Sequence, residues 1–426
     1  MSNSYRTYIL IVLMVTNAVN FIDRQVISIL APSIKADLAL SDTQLGVLMG
    51  LAFTLFYVSM GFPIGRLADK YARVNVLAGV LTLWSAMTAL CGAAAGFTQL
   101  LITRICVGVG EAGAGPTAHS LISDIYSRTE RARAIGIYSL GVPFGTLFGF
   151  LLGGLLAEQL GWRMAFVIVG LPGIALALLV KLTIREPARG SSDVEDSLMR
   201  DEVSLLQGIG ALWNIRTFRT MAYGGALSAF CGYAVNAWTP SFFYRTHELG
   251  PGAMALPMAV SLGVGGGLGS WLGGVVTTRL AQRDVGAFLT LPAWSFILFG
   301  IAMAIELWAP SLTIAYAALF VVGFMQFVLF GPFFGLVQSL APLRARALAT
   351  AFIFFIFTGF GNGLGPLFVG SISNMLTEAE GSARALQLAM SIIPFISVIA
   401  GLVVLMRRRG IAEDLAAQGL QLQDKL

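Results

Sequence analysis

The sequence has little charge and little that would cross-link the chain or catalyse a reaction. Only 12% of its 426 residues are charged, and it contains three cysteines and two histidines. Cys91, Cys106 and Cys231 all fall within long apolar stretches, without the spacing of a disulfide framework or a metal site. We therefore predict no metal and no other cofactor. The phosphate-binding pattern GxxxxGK[ST] is also absent, which argues against an ATP-driven pump.

Apolar residues are what the chain has in excess. They make up 57% of it, and the mean hydropathy is +0.80, so lipid rather than water is the expected solvent. About 20 apolar residues in a row can cross a bilayer as one helix. Such stretches lie at 8–30, 43–68, 74–95, 98–122, 134–158, 162–183, 217–243, 255–278, 286–307, 311–337, 347–375 and 385–406. The sequence thus predicts an all-α membrane protein with twelve transmembrane helices.

Positive charge is distributed unevenly among the connections between these stretches. One alternate set of connections contains most of the Lys and Arg residues. The other set contains only Lys35, Arg163, Arg245 and Arg384. Because short loops rich in positive charge stay in the cytoplasm, both termini are predicted to be cytoplasmic. The net charge of +5 is explained by this asymmetry, so we predict no nucleic-acid partner.

One long polar connection divides the chain. It predicts a six-helix bundle at 1–184, a cytoplasmic linker at 185–216, a second six-helix bundle at 217–406 and a cytoplasmic tail at 407–426. Two such bundles are typical of secondary transporters, in which they expose a central site alternately to either side. We expect a multi-pass protein of the cell membrane, with the short termini and compact loops favouring a bacterial inner membrane. We also expect a monomer.

Four ionisable residues lie within predicted helices: Asp23 and Arg24 in the first, and Arg104 and Glu111 in the fourth. A charge at the bilayer centre costs about 2.5–3.5 kcal/mol on insertion scales, so charges retained there usually form a pathway or a pair. Asp23 and Arg104 have similar predicted depths, so a direct pair between them is possible. Arg104 and Glu111 are about two helical turns apart and can face the same cavity. A permanent ion pair that only fixes helix packing is the alternative interpretation.

These four residues carry the functional hypothesis. The pKa of a buried carboxylate rises with desolvation and falls beside an arginine, so a carboxylate whose arginine partner comes and goes can take up and release a proton. We therefore predict proton coupling by Asp23, Glu111 and Arg104. Because a guanidinium suits phosphate or carboxylate, we predict that Arg24, Arg104 and Glu111 also form the polar part of a binding site for an anionic substrate.

The second half contributes aromatic and amide side chains rather than charges. The predicted substrate-binding residues there are Tyr233, Asn236, Phe327, Phe330 and Asn362. If they line a cavity, its wall suits an acyl chain or an aromatic ring. The alternative is that they face lipid or pack against other helices.

A short motif after the second predicted helix resembles the cytoplasmic loop signature of the major facilitator superfamily. By this resemblance the cytoplasmic gate would consist of Gly65, Asp69, Lys70 and Arg73, together with Arg133 or the amino end of the eleventh helix. Ala72 stands where glycine is usual in this motif. Arg104, Gly108, Gly110 and Ala112 also resemble the fourth-helix motif of the superfamily, whose arginine is linked to proton coupling.

Longer runs are similar to the Spinster lipid transporters within that superfamily. These runs are NFIDRQVISILAPSIKADLALSDTQLGVL from Asn20, RICVGVGEAGAGPTAHSLISDIY from Arg104 and GWRMAF from Gly161. The resemblance implies proton-linked transport, by alternating access, of lysophospholipids or sphingosine-1-phosphate-like lipids. Asp23, Arg24, Arg104 and Glu111 match the central polar residues of that family.

Two other interpretations remain open. The anion:cation symporters also resemble this sequence in the first and fourth helices, and they imply a small organic anion instead of an amphiphilic anionic lipid. An interpretation of a different class is a membrane receptor that binds lipid without transporting it, or a membrane enzyme. No nucleophile and base occur at a recognisable spacing, so we predict that the chain is not an enzyme.

Overall fold

The structure is a computed structural model that describes residues 1–189, 205–341 and 346–417. Within these residues the regular structure is helical, without strands. The first part contains α1 Asn3–Leu38, α2 Asp42–Gly46, α3 Ala52–Lys70, α4 Arg73–Cys91, α5 Phe97–Glu111, α6 Ala114–Ile125, α7 Arg128–Ser139 and α8 Gly141–Thr183. Of the predicted linker and tail, residues 190–204 and 418–426 lie outside the described residues.

The second part begins with a short helix and continues through eleven more. They are α9 Leu205–Asn214, α10 Arg216–His247, α11 Pro251–Met258, α12 Gly266–Ala281, α13 Ala287–Leu307, α14 Leu312–Val328, α15 Phe330–Leu340, α16 Arg346–Ile356, α17 Gly363–Glu380, α18 Ser382–Met390, α19 Ile392–Met406 and α20 Ile411–Ala417. In the part of the chain that the structure describes, three π-helical segments join neighbouring helices without a loop, at Val47–Leu51, Ala259–Gly265 and Phe357–Asn362. A π-helical turn widens the backbone locally and is frequent at functional sites.

Helical runs in the described part account for the predicted membrane spans. Nine runs are long and apolar enough to cross a bilayer, and the run Thr129–Thr183 covers two predicted stretches. The stretch 98–122 is not among the nine because its helix breaks between Glu111 and Ala114, which leaves α5 and α6. The remaining stretch, 217–243, lies within α10.

Gly161 makes the turn inside the long run of α8. Its φ of 79° and ψ of 163° lie in a region that only glycine adopts readily, so two membrane helices meet here without an intervening loop. The sequence prediction placed a break at this point, between 158 and 162.

We expect Gly161→Ala to lower the stability of the protein by about 1–3 kcal/mol, because a Cβ disfavours this backbone conformation. A Cβ at Gly161 meets no atom within 4 Å, so the effect would come from the backbone rather than from a clash. Thermal unfolding of purified protein measures it. Gly136→Ala is the matched control, since Gly136 is helical with open space around its Cα; equal loss in both variants would contradict the explanation.

A stripe of glycines brings α8 close to α1. The stripe has a spacing of four residues and consists of Gly141, Gly145, Gly149 and Gly153. A Cβ on Gly145 would lie 2.4 Å from the carbonyl oxygen of Ala18, and one on Gly141 would lie 2.6 Å from that of Met14. Small residues at this period allow helix backbones to approach in a membrane. The part of α1 that bears Asp23 and Arg24 is therefore packed directly against α8.

The described chain folds into two compact units. Unit 1 comprises Met1–Arg200 with Thr239–Ala259, and unit 2 comprises Asp201–Trp238 with Val260–Leu426. The core of unit 1 includes Leu13, Phe53 and Trp84, and that of unit 2 includes Phe218 and Phe333. Each unit thus has its own apolar interior.

Thr239–Ala259 belongs to unit 1 because specific contacts hold it there. The carboxylate of Asp42 is 1% exposed and accepts hydrogen bonds from Nη1 and Nη2 of Arg245 at 2.8 and 2.7 Å. Lys35 pairs with the same carboxylate. A Cβ on Gly154 would lie 2.4 Å from the carbonyl oxygen of Pro251, which shows how closely the backbones approach.

Candidate functional site

The four charged residues predicted within helices gather inside unit 1. Asp23, Arg104 and Glu111 are each at most 1% exposed, and the side chain of Arg24 is 12% exposed. Asp23 and Arg24 lie on α1, whereas Arg104 and Glu111 lie on α5. Burying two arginines and two carboxylates in one region leaves no net formal charge among them.

Arg24 and Glu111 form an ion pair across the two helices. The Nε atom of Arg24 donates to Oε2 of Glu111 at 2.8 Å. The guanidinium also lies 4.7–5.1 Å from the ring centroids of Phe21, Phe53 and Tyr57. Aromatic faces attract a cation most strongly where water is excluded. Arg24 therefore keeps a favourable environment that does not depend on the carboxylate alone.

Asp23 and Arg104 are not joined in the way that their depths suggested. The hydroxyl of Thr88 donates to Asp23 at 3.1 Å. Within the described residues, Arg104 has no ion pair, its Nε and Nη1 atoms are buried without a hydrogen-bond partner, and its guanidinium lies 5.5 Å from the Phe53 ring centroid. The direct pair of Asp23 with Arg104 that their similar depth made possible is thus not formed, because equal depth does not determine the direction in which each helix face points.

Three aromatic residues and one threonine of this site were absent from the sequence prediction. The Phe53 ring lies close to the guanidinium groups of both Arg24 and Arg104. The other three are Phe21 and Tyr57 beside Arg24 and Thr88 beside Asp23. A glycine in α5 explains why Phe53 lies so close to the charged residues of that helix. A Cβ on Gly108 would lie 2.5 Å from the carbonyl oxygen of Phe53, so α5 packs directly on α3.

The predicted gate residues divide into one buried arginine and several exposed side chains. Arg73 is 3% exposed and pairs with Asp124 and, at 2.8 Å, with Glu186. Asp69, Lys70 and Arg133 are exposed, and a Cβ on Gly65 would meet no atom within 4 Å. Residues 342–345, before the eleventh transmembrane helix, lie outside the described residues.

We expect Arg73→Gln to destabilise unit 1 by about 3–5 kcal/mol, because it removes a buried guanidinium that pairs with the carboxylates of both Asp124 and Glu186. The yield and thermal stability of purified protein measure this. Arg133→Gln removes an exposed arginine and should change stability by less than about 0.5 kcal/mol. A similar loss of stability in both variants would mean that the ion pairs of Arg73 with Asp124 and Glu186 do not stabilise unit 1.

The predicted residues of the second half all lie in unit 2. A Cβ on Gly232 would lie 2.7 Å from Nε2 of Gln326, and one on Gly365 would lie 2.5 Å from the carbonyl oxygen of Phe230. The unit 2 part of α10 therefore packs on both α14 and α17. Tyr233 and Asn236 follow on α10, and Asn362 is 7% exposed at the end of a π-helical segment.

Aromatic rings extend this part of unit 2. Phe327 stacks on Phe330 with centroids 5.4 Å apart, and Phe330 lies 5.9 Å from Phe334. Phe334 in turn lies 6.0 Å from Phe354. Phe327 and Phe330 are half-buried rather than sealed in the core. The described residues of either unit contain no group of three side chains that would hold a metal ion.

Comparison with known proteins agrees with this arrangement. Residues 13–366 match the family model of the Major Facilitator Superfamily. An MFS-type efflux pump of Mycolicibacterium smegmatis is 32% identical over 406 residues, which cover 91% of this chain and 90% of that protein. A sphingosine-1-phosphate transporter of Danio rerio is 24% identical over 408 residues, covering 91% of this chain and 81% of that protein.

A solved structure shares the fold across almost the whole chain. It is the crystal structure of a bacterial homolog of the human lysosomal transporter Spinster, with a TM-score of 0.89 and 31% identity. The alignment covers 97% of this chain and 99% of that one.

A helical fold of this kind, with charges buried inside a membrane-spanning unit, defines a multi-pass membrane transporter. The chain belongs to the Major Facilitator Superfamily. Within it, the chain resembles the Spinster transporters, as the runs in the first and fourth helices predicted. The predictions of a twelve-helix membrane fold and of a transporter rather than an enzyme are confirmed.

Proposed function

We propose that this transporter is coupled to protons and moves an amphiphilic lipid with an anionic head, of the lysophospholipid or sphingosine-1-phosphate type, by alternating access. The observation that carries the proposal is the buried Arg24–Glu111 ion pair with Asp23 and Arg104 around it. The relative in Danio rerio is named as a transporter of such a lipid.

The ion pair can link binding of a proton by Glu111 to binding of the anionic head by Arg24. When Glu111 is protonated it no longer holds Arg24 by charge, and the guanidinium becomes available to an anionic head. When the head leaves, Arg24 again favours the ionised carboxylate. Binding of the anion and binding of the proton therefore favour each other at this point, which is thermodynamic coupling. Arg104, with buried N–H groups that have no partner among the described residues, offers a second donor to the same anion.

The aromatic rings of unit 2 favour a lipid over a small organic anion. Phe327 and Phe330 stack and stay half-buried, and the neighbouring Phe334 and Phe354 continue the apolar surface. An acyl chain gains about 0.8 kcal/mol for each buried methylene group. A small organic anion would use the arginines and leave most of this surface unused. In this proposal Tyr233, Asn236 and Asn362 add polar contacts, and Asp69, Lys70 and Arg73 belong to the cytoplasmic gate.

Proteoliposomes with an internal pH dye test the substrate class. A lysophospholipid, a sphingoid phosphate and an aromatic carboxylate are added in turn, with and without an imposed pH gradient. A proton flux evoked by either lipid, and absent from vesicles that contain Asp23→Asn, is the expected result. A response to the carboxylate alone would assign the chain to small organic anions. Lipid binding without any lipid translocation would indicate a receptor, and would contradict the transport proposal.

A further inference from the structure

A basic pocket lies at the cytoplasmic end of unit 2, away from the buried charges of unit 1. It has a volume of about 570 Å³ and is formed by the connection between α12 and α13 together with the segment after α19. Its charged lining residues are Arg283, Asp284, Arg408 and Arg409, so positive charge exceeds negative charge there. The transport mechanism proposed above uses none of these residues.

Hydrogen bonds and apolar contacts hold the backbone around the pocket in place. Oδ2 of Asp414 accepts from the backbone N–H of Thr217 at 2.7 Å and from Arg407 at 2.9 Å. Ile411 and Leu415 are buried in the apolar core of unit 2. The chain after α19 therefore turns back under the unit, which places Arg408 and Arg409 beside the connection that contains Arg283.

Among the described residues, one of the three arginines has a carboxylate partner and two do not. Nη2 of Arg408 donates to Oδ2 of Asp284 at 2.7 Å, and this hydrogen bond lowers the pKa of Asp284. Within the described residues, Arg283 and Arg409 have no ion pair, and both are exposed. The pocket therefore presents two guanidinium groups to an incoming anion.

Exposed apolar side chains lie near the ends of α12 and α19, the two helices that lead into the pocket. Leu280 is 46% exposed, Leu402 is 48% exposed and Met406 is 77% exposed. In a membrane-spanning unit such side chains contact acyl chains. The pocket thus lies where the hydrocarbon surface of the protein meets the cytoplasm, which is the position of lipid phosphates. Juxtamembrane arginines attract anionic lipids, and basic pockets at this level bind their head groups.

We infer that this pocket binds the head group of an anionic phospholipid, with Arg283 and Arg409 contacting the phosphate. A phosphate group accepts two parallel hydrogen bonds from one guanidinium, which suits arginine better than lysine. The bound lipid occupies a site separate from that of the transported substrate. It is therefore a structural lipid of the surrounding bilayer rather than cargo.

Native mass spectrometry of the purified full-length chain tests this inference. The probes are phosphatidylglycerol, phosphatidylcholine with the same acyl chains, and inorganic phosphate. We expect preferential retention of phosphatidylglycerol, about fivefold weaker after either Arg283→Gln or Arg409→Gln and about thirtyfold weaker in the double variant. Arg185→Gln, which removes an exposed cytoplasmic arginine of unit 1, should keep the preference.

Three outcomes would overturn the inference. Equal retention of phosphatidylcholine would remove the role of charge. Binding of inorganic phosphate as tight as that of the lipid would make the pocket a site for free phosphate. An unchanged preference in the double variant, with folded protein shown by its elution profile, would place the lipid elsewhere. Since none of these measurements involves transport, their failure is distinguishable from failure of the proposed function.

Discussion

Glu111→Gln abolishes uphill accumulation of substrate while exchange of substrate across the membrane continues, if Glu111 carries the coupled proton. Glutamine keeps an oxygen that accepts from Arg24 but cannot gain or lose a proton near neutral pH. A pH difference of one unit supplies about 1.4 kcal/mol per proton, which supports about tenfold accumulation. In the variant that driving force is lost, so the internal concentration should only reach the external one. Proteoliposomes with a labelled substrate measure both quantities.

Asp23→Asn should have the same effect if the two carboxylates act together. The side-chain oxygen of the asparagine in this variant can still accept from Thr88, so the packing contact is preserved. Arg104→Ala should abolish accumulation and exchange alike, because it removes an anchor for the anionic head. Glu130→Gln is the control, since the Glu130 carboxylate is 51% exposed and pairs with Arg6. If both acid variants still accumulate substrate uphill, the assignment of coupling to these residues is wrong.

Gly273→Ala should lower the stability of unit 2 strongly, whereas Gly274→Ala should not. A Cβ on Gly273 would lie 2.1 Å from the carbonyl oxygen of Val328 and 2.9 Å from its Cα atom. Because these are backbone atoms, α12 and α14 would have to separate. Overpacking of a close contact typically costs about 1–3 kcal/mol, and a rigid backbone partner favours the upper end.

Gly274 is the matched control because it is the next residue on the same helix. A Cβ there would meet no atom within 4 Å, and alanine in a helix interior is favoured over glycine by about 0.5–1 kcal/mol. To measure stability, each purified variant is heated and then passed over a size-exclusion column. The temperature at which half of the monodisperse peak is lost is compared between the two variants. A decrease for Gly274→Ala that matches the one for Gly273→Ala would mean that close packing of α12 on α14 does not limit stability.

The membrane fold could be predicted from the sequence because each span is a long apolar run. A chain in lipid must form its backbone hydrogen bonds internally, which leaves few possible structures. The charged residues of the site could be found for the same reason, since Asp23, Arg24, Arg104 and Glu111 interrupt such runs. The length of an apolar run does not show where the helix within it breaks, however. The separation of α5 from α6 near Ala112 depends on local backbone geometry that hydropathy does not contain.

Which charged residues pair could not be predicted, because pairing depends on helix rotation as well as depth. Asp23 and Arg24 are adjacent, so they point about 100° apart around α1. The packing of α1 on α8, through glycines such as Gly145, and that of α5 on α3, through Gly108, determine which of them faces Glu111. The partners of Arg73 were missed for a related reason. Glu186 is far away in sequence, and its polar surroundings are typical of a solvated linker.

The contacts around residues 186–189 determine where this chain can be divided. Glu186 accepts from the backbone N–H of Val74 at 2.9 Å, at the beginning of α4. Arg189 donates to the carbonyl oxygens of Ala68 and Tyr71 at 2.9 and 2.8 Å, at the end of α3. A two-fragment version of the transporter, co-expressed for labelling or selection, should therefore be cut after residue 189. A cut directly after α8 would place Glu186 and Arg189 on the second fragment, away from the ends of α3 and α4 to which they bond.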